Sequence, residues 1–156
     1  MLFFDGTNIE CMHINSENYN NDHRITTALL LAAGTGSRLY QLTKNSPKCL
    51  TLVNEKSILE RLVTNLKQQG FKRLVIVTGY KKESIVDFLG DQTEGLSIEY
   101  IQNPLYNTTN NIYSLWMART IINEPFVLLE SDLVLETSLL NKMVYPDRIA
   151  VAKMQP

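Results

Sequence analysis

Short apolar runs alternate with amphipathic stretches along most of this chain. Residues 28–33 are an unbroken apolar run, of the kind that is buried on both faces of a sheet, and residues 74–78 form a second one. Such runs, separated by segments of helical period, are typical of stacked βαβ units. From about residue 26 onward, the pattern therefore predicts an α/β fold with a mostly parallel sheet.

The helical segments have clear boundaries. Residues 57–69 place Ile58, Leu59 and Leu62 on one face, with Ser57 as N-cap and Gly70 at the C-terminal stop. Further helices are predicted at residues 82–89, 110–122 and 137–144, and further strands at 97–102, 126–129 and 149–151. The helix at 110–122 is expected to turn four apolar side chains inward, namely Ile112, Leu115, Trp116 and Ile122.

Residues 1–24 differ from the rest, because they show no sustained period of 2 or 3.6. They are interpreted as an N-terminal extension without assigned function. Both histidines, His13 and His23, fall in this extension, so residues 25–156 offer no Ser/His/Asp or Cys/His catalytic constellation. The cysteines, Cys11 and Cys49, are too few for a four-cysteine zinc site, and Cys49 is expected to be structural.

Composition excludes several classes of partner. The 156 residues carry a net charge of -1 without a dense run of Lys or Arg, which disfavours polynucleotide binding. No apolar stretch approaches the roughly 20 residues that span a bilayer. We expect a cytoplasmic protein that binds neither nucleic acid nor membrane; the sequence does not fix its oligomeric state.

A glycine loop follows the first apolar strand. Gly34, Thr35 and Gly36 would let backbone N–H groups approach an anion, although a simple tight turn has the same sequence. Ser37 and Arg38 stand where a P-loop needs Lys followed by Ser or Thr, which excludes an ordinary P-loop NTPase. Arg38 also occupies the place of the third small residue of a dinucleotide fingerprint, so a hydride-transfer enzyme is disfavoured.

Two cations accompany this loop. Arg38 can form a forked contact with phosphate oxygens, and Lys48, ten residues later, can act as a point charge. Together they suit a triphosphate whose pyrophosphate leaves. The alternative is that both are solvated surface charges.

These residues carry a family resemblance. Residues 31–38 (LAAGTGSR), 42–43 (LT) and 47–50 (PKCL) resemble the signature of the sugar-phosphate and choline-phosphate nucleotidylyltransferase superfamily. Residues 77–80 (VTGY), 103–104 (NP) and 109–115 (TNNIYSL) are similar to its branch of bacterial phosphocholine and 2-aminoethylphosphonate cytidylyltransferases. The resemblance covers about residues 26–156 and implies a Rossmann-like three-layer αβα fold.

The resemblance also implies roles for particular residues. Arg38 and Lys48 would be the catalytic cations, and Asp132, just past the strand at 126–129, would hold magnesium (Mg2+). From its position alone, Asp132 could equally be a helix N-cap or a surface acid. Glu130 is a second carboxylate that could assist the metal or tune Asp132. The glycine loop would wrap the triphosphate through Leu31, Ala32, Ala33, Gly34, Thr35 and Gly36.

A second group of residues is expected beside the base or ribose. Gly79 and Tyr80 follow the second strand at the same predicted edge as the glycine loop. Asn110 and Ser114, with their neighbour Asn111, would offer amide and hydroxyl groups, although Asn110 could simply cap a helix. Three aromatic side chains nearby could form a quaternary-ammonium cage, namely Tyr106, Tyr113 and Trp116. For Trp116, packing in the core is favoured.

The implied activity is magnesium-dependent transfer of CMP from CTP to a small phosphorylated amino alcohol or phosphonate, such as phosphocholine or 2-aminoethylphosphonate. The acceptor oxygen is already anionic, so no general base is needed. Two alternatives stay open: a sugar-1-phosphate nucleotidylyltransferase that uses UTP, dTTP or GTP, and a non-catalytic nucleotide-binding module.

Family members supply a further aspartate from a downstream position that would lie beyond Pro156. We therefore expect residues 25–156 to be the nucleotide-binding part of a nucleotidylyltransferase domain. The downstream acceptor-binding part would be absent from them, which puts the activity of this piece alone in doubt.

Overall fold

A computed structural model describes residues 2–3, 9–13, 24–36 and 43–152 of the chain. The helices are α1 (Ile58–Gln68), α2 (Lys82–Leu89), α3 (Asn111–Ala118) and α4 (Thr137–Met143), and a 3-10 turn covers Lys48–Leu50. The strands are β1 (Leu2–Phe3), β2 (Ile9–His13), β3 (Thr27–Ala32), β4 (Leu52–Val53), β5 (Lys56–Ser57), β6 (Arg73–Thr78), β7 (Gln92–Thr93), β8 (Leu96–Gln102), β9 (Phe126–Glu130), β10 (Leu133–Val134) and β11 (Arg148–Ala152).

The centre of the fold is a five-stranded sheet with the order β7-β8-β6-β3-β9. Strands β8, β6, β3 and β9 are parallel, and only the short edge strand β7 runs antiparallel within this sheet. Leu31 on β3 pairs with Val77 on β6 and with Glu130 on β9, so the carboxyl ends of these strands meet at one edge. The predicted parallel α/β sheet is confirmed.

Helices cover both faces of the sheet, which gives the three-layer arrangement. On one face, α1, α2 and α4 bury Leu59, Ile85 and Leu140 against the sheet residues Leu30 and Ile76. On the other face, α3 and the turn after it pack Ala118 and Ile122 against Leu29 and Val75. Because both faces are covered, the central strands are apolar on both sides, as their sequence pattern predicts.

Helix α1 begins and ends as the sequence indicates. The Ser57 side chain accepts a hydrogen bond from the backbone N–H of Glu60 at 3.0 Å and caps the first turn. Gly70, just past the end, has a φ of +72°, a left-handed conformation that favours glycine. The predicted helix at 57–69 is therefore confirmed to within one residue at each end.

Helix α3 is shorter than the predicted span of 110–122, and two of its side chains point the other way. Ile112 is 74% exposed and Trp116 is 50% exposed, so the prediction that they face inward is wrong. The buried positions are Ser114 and Ala118, one turn apart on the opposite side of the helix. Because α3 is only eight residues long and contacts the sheet along one narrow stripe, apolar residues outside that stripe stay exposed.

Trp116 does not pack in the core and contacts an aromatic ring and a guanidinium group on the outer surface. Its ring stacks with that of Tyr113 at a centroid distance of 5.4 Å. The Arg119 guanidinium lies 3.9 Å from the Trp116 ring centroid. These contacts are those of a surface cation–π cluster.

The N-terminal extension contains regular structure that local periodicity does not predict. Strand β1 pairs in parallel with β10, and β2 pairs antiparallel with β11, where His13 lies opposite Arg148. These pairings join residues far apart along the chain, and such contacts leave no local pattern in the sequence. Whether residues 1–24 form a unit distinct from residues 25–156 stays a prediction.

None of the helices in the described ranges is long and apolar enough to cross a membrane.

Candidate active site

A cavity of about 380 Å³ opens at the carboxyl edge of the central sheet, where β3 and β9 end. Open α/β sheets bind their ligands at this edge. The lining residues come from the glycine loop, the 3-10 turn, the loop after β8, the start of α3 and the turn after β9: Leu31, Gly34, Thr35, Gly36, Lys48, Tyr106, Asn107, Thr109, Asn111, Glu130, Ser131 and Asp132.

The glycine loop forms one wall of this cavity. Four of the residues predicted to bind the triphosphate line it, namely Leu31, Gly34, Thr35 and Gly36. Gly36 has a φ of +65°, which a residue with a side chain rarely adopts. Ala32 and Ala33 are buried below the loop, 4% and 6% exposed, and are absent from the lining residues.

Lys48 and Asp132, which the sequence places 84 positions apart, form an ion pair at the cavity wall. Lys48 Nζ lies 2.5 Å from Asp132 Oδ2, and the two side chains are 20% and 35% exposed. Pro47 is extended and precedes the 3-10 turn that carries Lys48, while Asp132 lies in the turn between β9 and β10. Arg38, the other predicted cation, lies outside the described residues.

Glu130 adds a second carboxylate beside Asp132. The Asn111 amide nitrogen donates to both Glu130 carboxylate oxygens, at 2.9 and 3.1 Å. Burial, and to a smaller extent the charge of Asp132, raise the pKa of Glu130, while Asn111 and Lys48 act in the opposite direction. The cavity wall thus carries two neighbouring carboxylates and one ammonium group.

This donor set fits a magnesium ion. Magnesium is bound in proteins by one or two carboxylates, with the remaining positions filled by water and substrate phosphates. The side chains of Asp132 and Glu130 supply such oxygens at the cavity wall. Within the described ranges, no group of three or more His, Cys, Asp and Glu side chains could hold a metal unaided. A magnesium ion held by these two carboxylates would take its further ligands from water and substrate phosphates.

Besides Ala32 and Ala33, four more of the predicted nucleotide-binding residues do not line the cavity, and two of these four have structural partners on or near α3. The Asn110 side chain accepts from the backbone N–H groups of Ile112 and Tyr113 and caps α3. Ser114 is 2% exposed and accepts a hydrogen bond from the Asn103 amide nitrogen at 3.2 Å.

The other two, Gly79 and Tyr80, lie behind the glycine loop. A Cβ atom at Gly79 would lie 2.5 Å from the Tyr106 Cβ and 2.7 Å from the Ala33 carbonyl oxygen. The Tyr80 backbone N–H donates to that same carbonyl at 3.0 Å. Gly79 therefore allows β6 to pass close beneath the cavity wall.

The loop after β8 contributes Tyr106, which the sequence suggested only for an aromatic cage, and also Asn107 and Thr109, which were not predicted site residues. This loop is held by Asn103, which is 1% exposed. The Asn103 amide nitrogen donates to Thr109 Oγ1 at 3.0 Å, and its oxygen accepts from the Leu105 backbone N–H at 2.9 Å. The stretches at 103–104 and 109–111 carried a signal in the resemblance, but nothing in them showed which side chains would face the cavity.

Cys49 lies next to Lys48 but points into the core. It is 2% exposed, and burial raises the pKa of its thiol to about 12. A thiol with such a pKa is not a nucleophile near neutral pH. The prediction that Cys49 is structural is confirmed.

The parallel sheet, the glycine loop at the end of its central strand and the charged cavity at its carboxyl edge define an α/β protein with a crevice suited to an anionic ligand. The family model described as nucleotidyl transferase matches residues 27–152. The chain belongs to the nucleotidyl transferase family.

Curated relatives and solved structures agree with this assignment. The chain is 36% identical over 130 residues to the CMP-5'-(3-aminopropyl)phosphonate synthase of Streptomyces rubellomurinus, an alignment that covers 83% of this chain and 21% of that protein. It is 34% identical over 112 residues to a UTP–glucose-1-phosphate uridylyltransferase of Haloferax volcanii, covering 72% of this chain and 45% of that protein.

A solved CTP:phosphocholine cytidylyltransferase from Streptococcus pneumoniae superimposes with a TM-score of 0.59 at 34% identity, covering 70% of this chain and 45% of that one. The chain thus spans less than half the length of each of these three proteins.

Proposed function

We propose that this chain is the nucleotide-binding part of a nucleotidylyltransferase that moves a nucleoside monophosphate, CMP from CTP, onto a small phosphorylated amino alcohol or phosphonate. The observation that carries the proposal is the convergence of the glycine loop, Lys48 and Asp132 on one cavity in a chain of this family. The cytidylyl preference is supported by two relatives whose names specify CMP or CTP chemistry.

In this proposal, the triphosphate lies along the glycine loop. Backbone N–H groups of Gly34, Thr35 and Gly36 would bind its oxygens, and Lys48 would neutralise part of its charge. Arg38 would be the second cation, as the sequence predicts. Phosphoryl and nucleotidylyl transfers depend chiefly on positioning and charge stabilisation, and this part of the cavity is equipped for both.

Magnesium would be held by Asp132 with Glu130 beside it. When bound, the ion supplies positive charge that stabilises the phosphate oxygens. Asp132 would exchange its ion pair with Lys48 for the metal, and Lys48 would become available to the triphosphate. Asn111 holds the Glu130 carboxylate in position for this arrangement through both of its oxygens.

The acceptor would attack through a phosphate or phosphonate oxygen that is already anionic at neutral pH, so no side chain has to remove a proton. Acceptor identity, a cytoplasmic location and the absence of nucleic-acid and membrane partners remain parts of the proposal.

Two other functions stay open. The Haloferax volcanii relative favours a sugar-1-phosphate nucleotidylyltransferase. The second is a non-catalytic nucleotide-binding module. Both share the nucleotide site, and they differ in the reaction of the bound nucleotide.

Pyrophosphate release tests the proposal. The complete nucleotidylyltransferase, of which this chain is proposed to be the nucleotide-binding part, is incubated with magnesium and CTP or UTP, together with phosphocholine, 2-aminoethylphosphonate or glucose 1-phosphate. We expect pyrophosphate to be released with CTP and a phosphorylated amine or aminophosphonate, and we expect Asp132→Asn to abolish this release. Release with UTP and glucose 1-phosphate alone would identify the sugar nucleotidylyltransferase, and triphosphate binding without release would identify the module.

A further inference from the structure

We propose that Tyr80 and Thr43 are positioning residues that hold the glycine loop (Gly34–Gly36) to the segment that returns from it (Thr43–Lys44). This inference rests on the proposed function, because the ligand concerned is the triphosphate. Neither side chain lines the cavity, so each would act through the backbone that it holds.

Thr43 fastens the far end of the glycine loop. Its side chain is 2% exposed, and Thr43 Oγ1 donates to the Gly36 carbonyl oxygen at 3.0 Å. A Cβ atom at Gly36 would lie only 2.8 Å from Thr43 Cγ2, so the methyl group packs directly against the Gly36 backbone. The hydroxyl and the methyl of one buried side chain thus fix Gly36 in its left-handed conformation.

Tyr80 connects the near end of the loop to the returning segment. Its backbone N–H donates to the Ala33 carbonyl oxygen at 3.0 Å, and its side-chain hydroxyl donates to the Lys44 carbonyl oxygen at 2.9 Å. One residue at the end of β6 therefore bonds to the chain both before and after the glycine loop.

The Tyr80 ring is itself held in place. The Tyr106 ring lies at a centroid distance of 6.3 Å, tilted by 54°, and Lys81 Nζ lies 5.6 Å from the Tyr80 ring centroid. Gly79 keeps this packing close, because a Cβ there would collide with Tyr106. These contacts hold the ring whose hydroxyl donates to the Lys44 carbonyl oxygen.

Such bracing matters for a loop that binds through backbone N–H groups. Glycine leaves a loop with more backbone freedom than any other residue, and ordering it on binding lowers affinity. Hydrogen bonds that hold Ala33, Gly36 and Lys44 in the free protein reduce that cost. The geometry therefore assigns Tyr80 a role behind the loop, in place of the base contact expected from sequence.

The test compares the affinity of matched variants for CTP and for inorganic tripolyphosphate, a probe without a base, by isothermal titration calorimetry. Tyr80→Phe and Thr43→Val each remove one hydroxyl and keep the shape, and Thr43→Ser restores the hydroxyl. Tyr100→Phe and Thr120→Val are the controls, because their hydroxyls donate to the carbonyls of Gly90 and Met117, in segments that do not line the cavity.

We expect Tyr80→Phe and Thr43→Val to raise the Kd for both ligands about five- to tenfold, the effect of one lost hydrogen bond. Thr43→Ser should recover most of the affinity, and the controls should bind like the wild type. A merely structural role would lower the Tm of variants and controls alike and leave the Kd unchanged.

If the wild type binds CTP and the variants Tyr80→Phe and Thr43→Val bind it with the same Kd, the positioning role is overturned and the proposed function stands. A wild-type chain that binds no triphosphate would overturn the proposed function, and the positioning role with it. If Thr43→Val does not fold, Tyr80→Phe decides alone, because it removes only the bond to Lys44.

Discussion

Lys48 and Asp132 form an ion pair, although the family resemblance implies different ligands for them. Lys48 would bind phosphate, and Asp132 would bind a metal ion. At 2.5 Å, with 20% and 35% of the two side chains exposed, each group satisfies the charge of the other. Both charges are thereby kept at the cavity without an unpaired charge being buried there. Under the proposed function, triphosphate and metal would assist each other, because each would release the partner that the other needs.

Gly79 shows how one missing side chain shapes the site. We predict that Gly79→Ala lowers the free energy of unfolding by about 1–3 kcal/mol, the usual cost of overpacking, because its Cβ would lie 2.5 Å from the Tyr106 Cβ. Urea denaturation measures this. Gly34→Ala is the control, since a Cβ there would have no neighbour within 4 Å. Equal stability of both variants would contradict the close packing of β6 against the loop after β8.

At the level of single residues, sequence patterns locate Lys48, Asp132 and the glycine loop but not the contacts between them. Lys48 and Asp132 occur at recognisable positions, yet their pairing depends on two turns that meet only in three dimensions. Ser114 offers a hydroxyl in the sequence, but whether it faces the cavity depends on how α3 rotates against the sheet. Helical period gives the spacing of side chains and not that rotation.

The amino ends of the parallel strands are tied together by a cluster of charges opposite the cavity. Arg73 at the start of β6 donates to Glu99 on β8 at 2.6 Å and to Glu124, just before β9, also at 2.6 Å. Glu124 in turn accepts from Thr27 Oγ1 on β3 at 2.8 Å. One arginine therefore links β6 to β8 and, through Glu124, to β3 and the approach to β9.

The charge cluster predicts a pH dependence of stability. Hydrogen bonds from Arg73, and then from Thr27, lower the pKa of Glu124 to about 2, below the value of roughly 4.3 expected for an unfolded chain. Because the folded pKa is lowered, the stabilisation is present above about pH 4.3 and is lost as the pH falls toward 2. The Glu124 side chain is 41% exposed, so solvent screening reduces the effect.

We predict that Glu124→Gln flattens the fall of the free energy of unfolding between about pH 4.3 and 2, measured by urea denaturation at several pH values. Glu83→Gln on α2 is the control, since that side chain is exposed and belongs to no ion pair among the described residues. An unchanged pH profile in Glu124→Gln would contradict a contribution of the Glu124 carboxylate to stability.

For elements, prediction succeeds where burial and period agree. The central strands are buried on both faces, and their sequences are continuous apolar runs. Helix α1 has an N-cap residue and a clear apolar face, and a glycine follows its C-terminus. Helix α3 is mispredicted because Ile112 and Trp116 fit a helical period but lie outside the narrow stripe that meets the sheet. An apolar residue at a helical spacing does not by itself reveal whether another element covers it.

On the scale of the whole molecule, the fold class and the edge that carries the cavity follow from the order of strands and loops, since parallel strands must share their carboxyl edge. The pairing of β2 with β11 and of β1 with β10 does not follow from any local pattern. Long-range pairing of short strands depends on the rest of the fold being in place. The N-terminal 24 residues are therefore the part of the chain for which sequence was least informative.

The central claim is that this chain binds a nucleoside triphosphate at the glycine loop and Lys48. It is tested most directly by a thermal-shift titration with CTP, UTP, GTP, ATP and dTTP, each with and without magnesium. The titration is repeated on Lys48→Ala, with Lys72→Ala, an exposed lysine of the loop before β6, as the control. A ligand that binds only the folded state raises its stability by about 2.7 kcal/mol at a hundredfold excess over Kd.

We expect CTP to raise the Tm most, magnesium to increase the shift, and Lys48→Ala to lose most of it while Lys72→Ala keeps it. No shift with any triphosphate, or a full shift in Lys48→Ala, would contradict the claim.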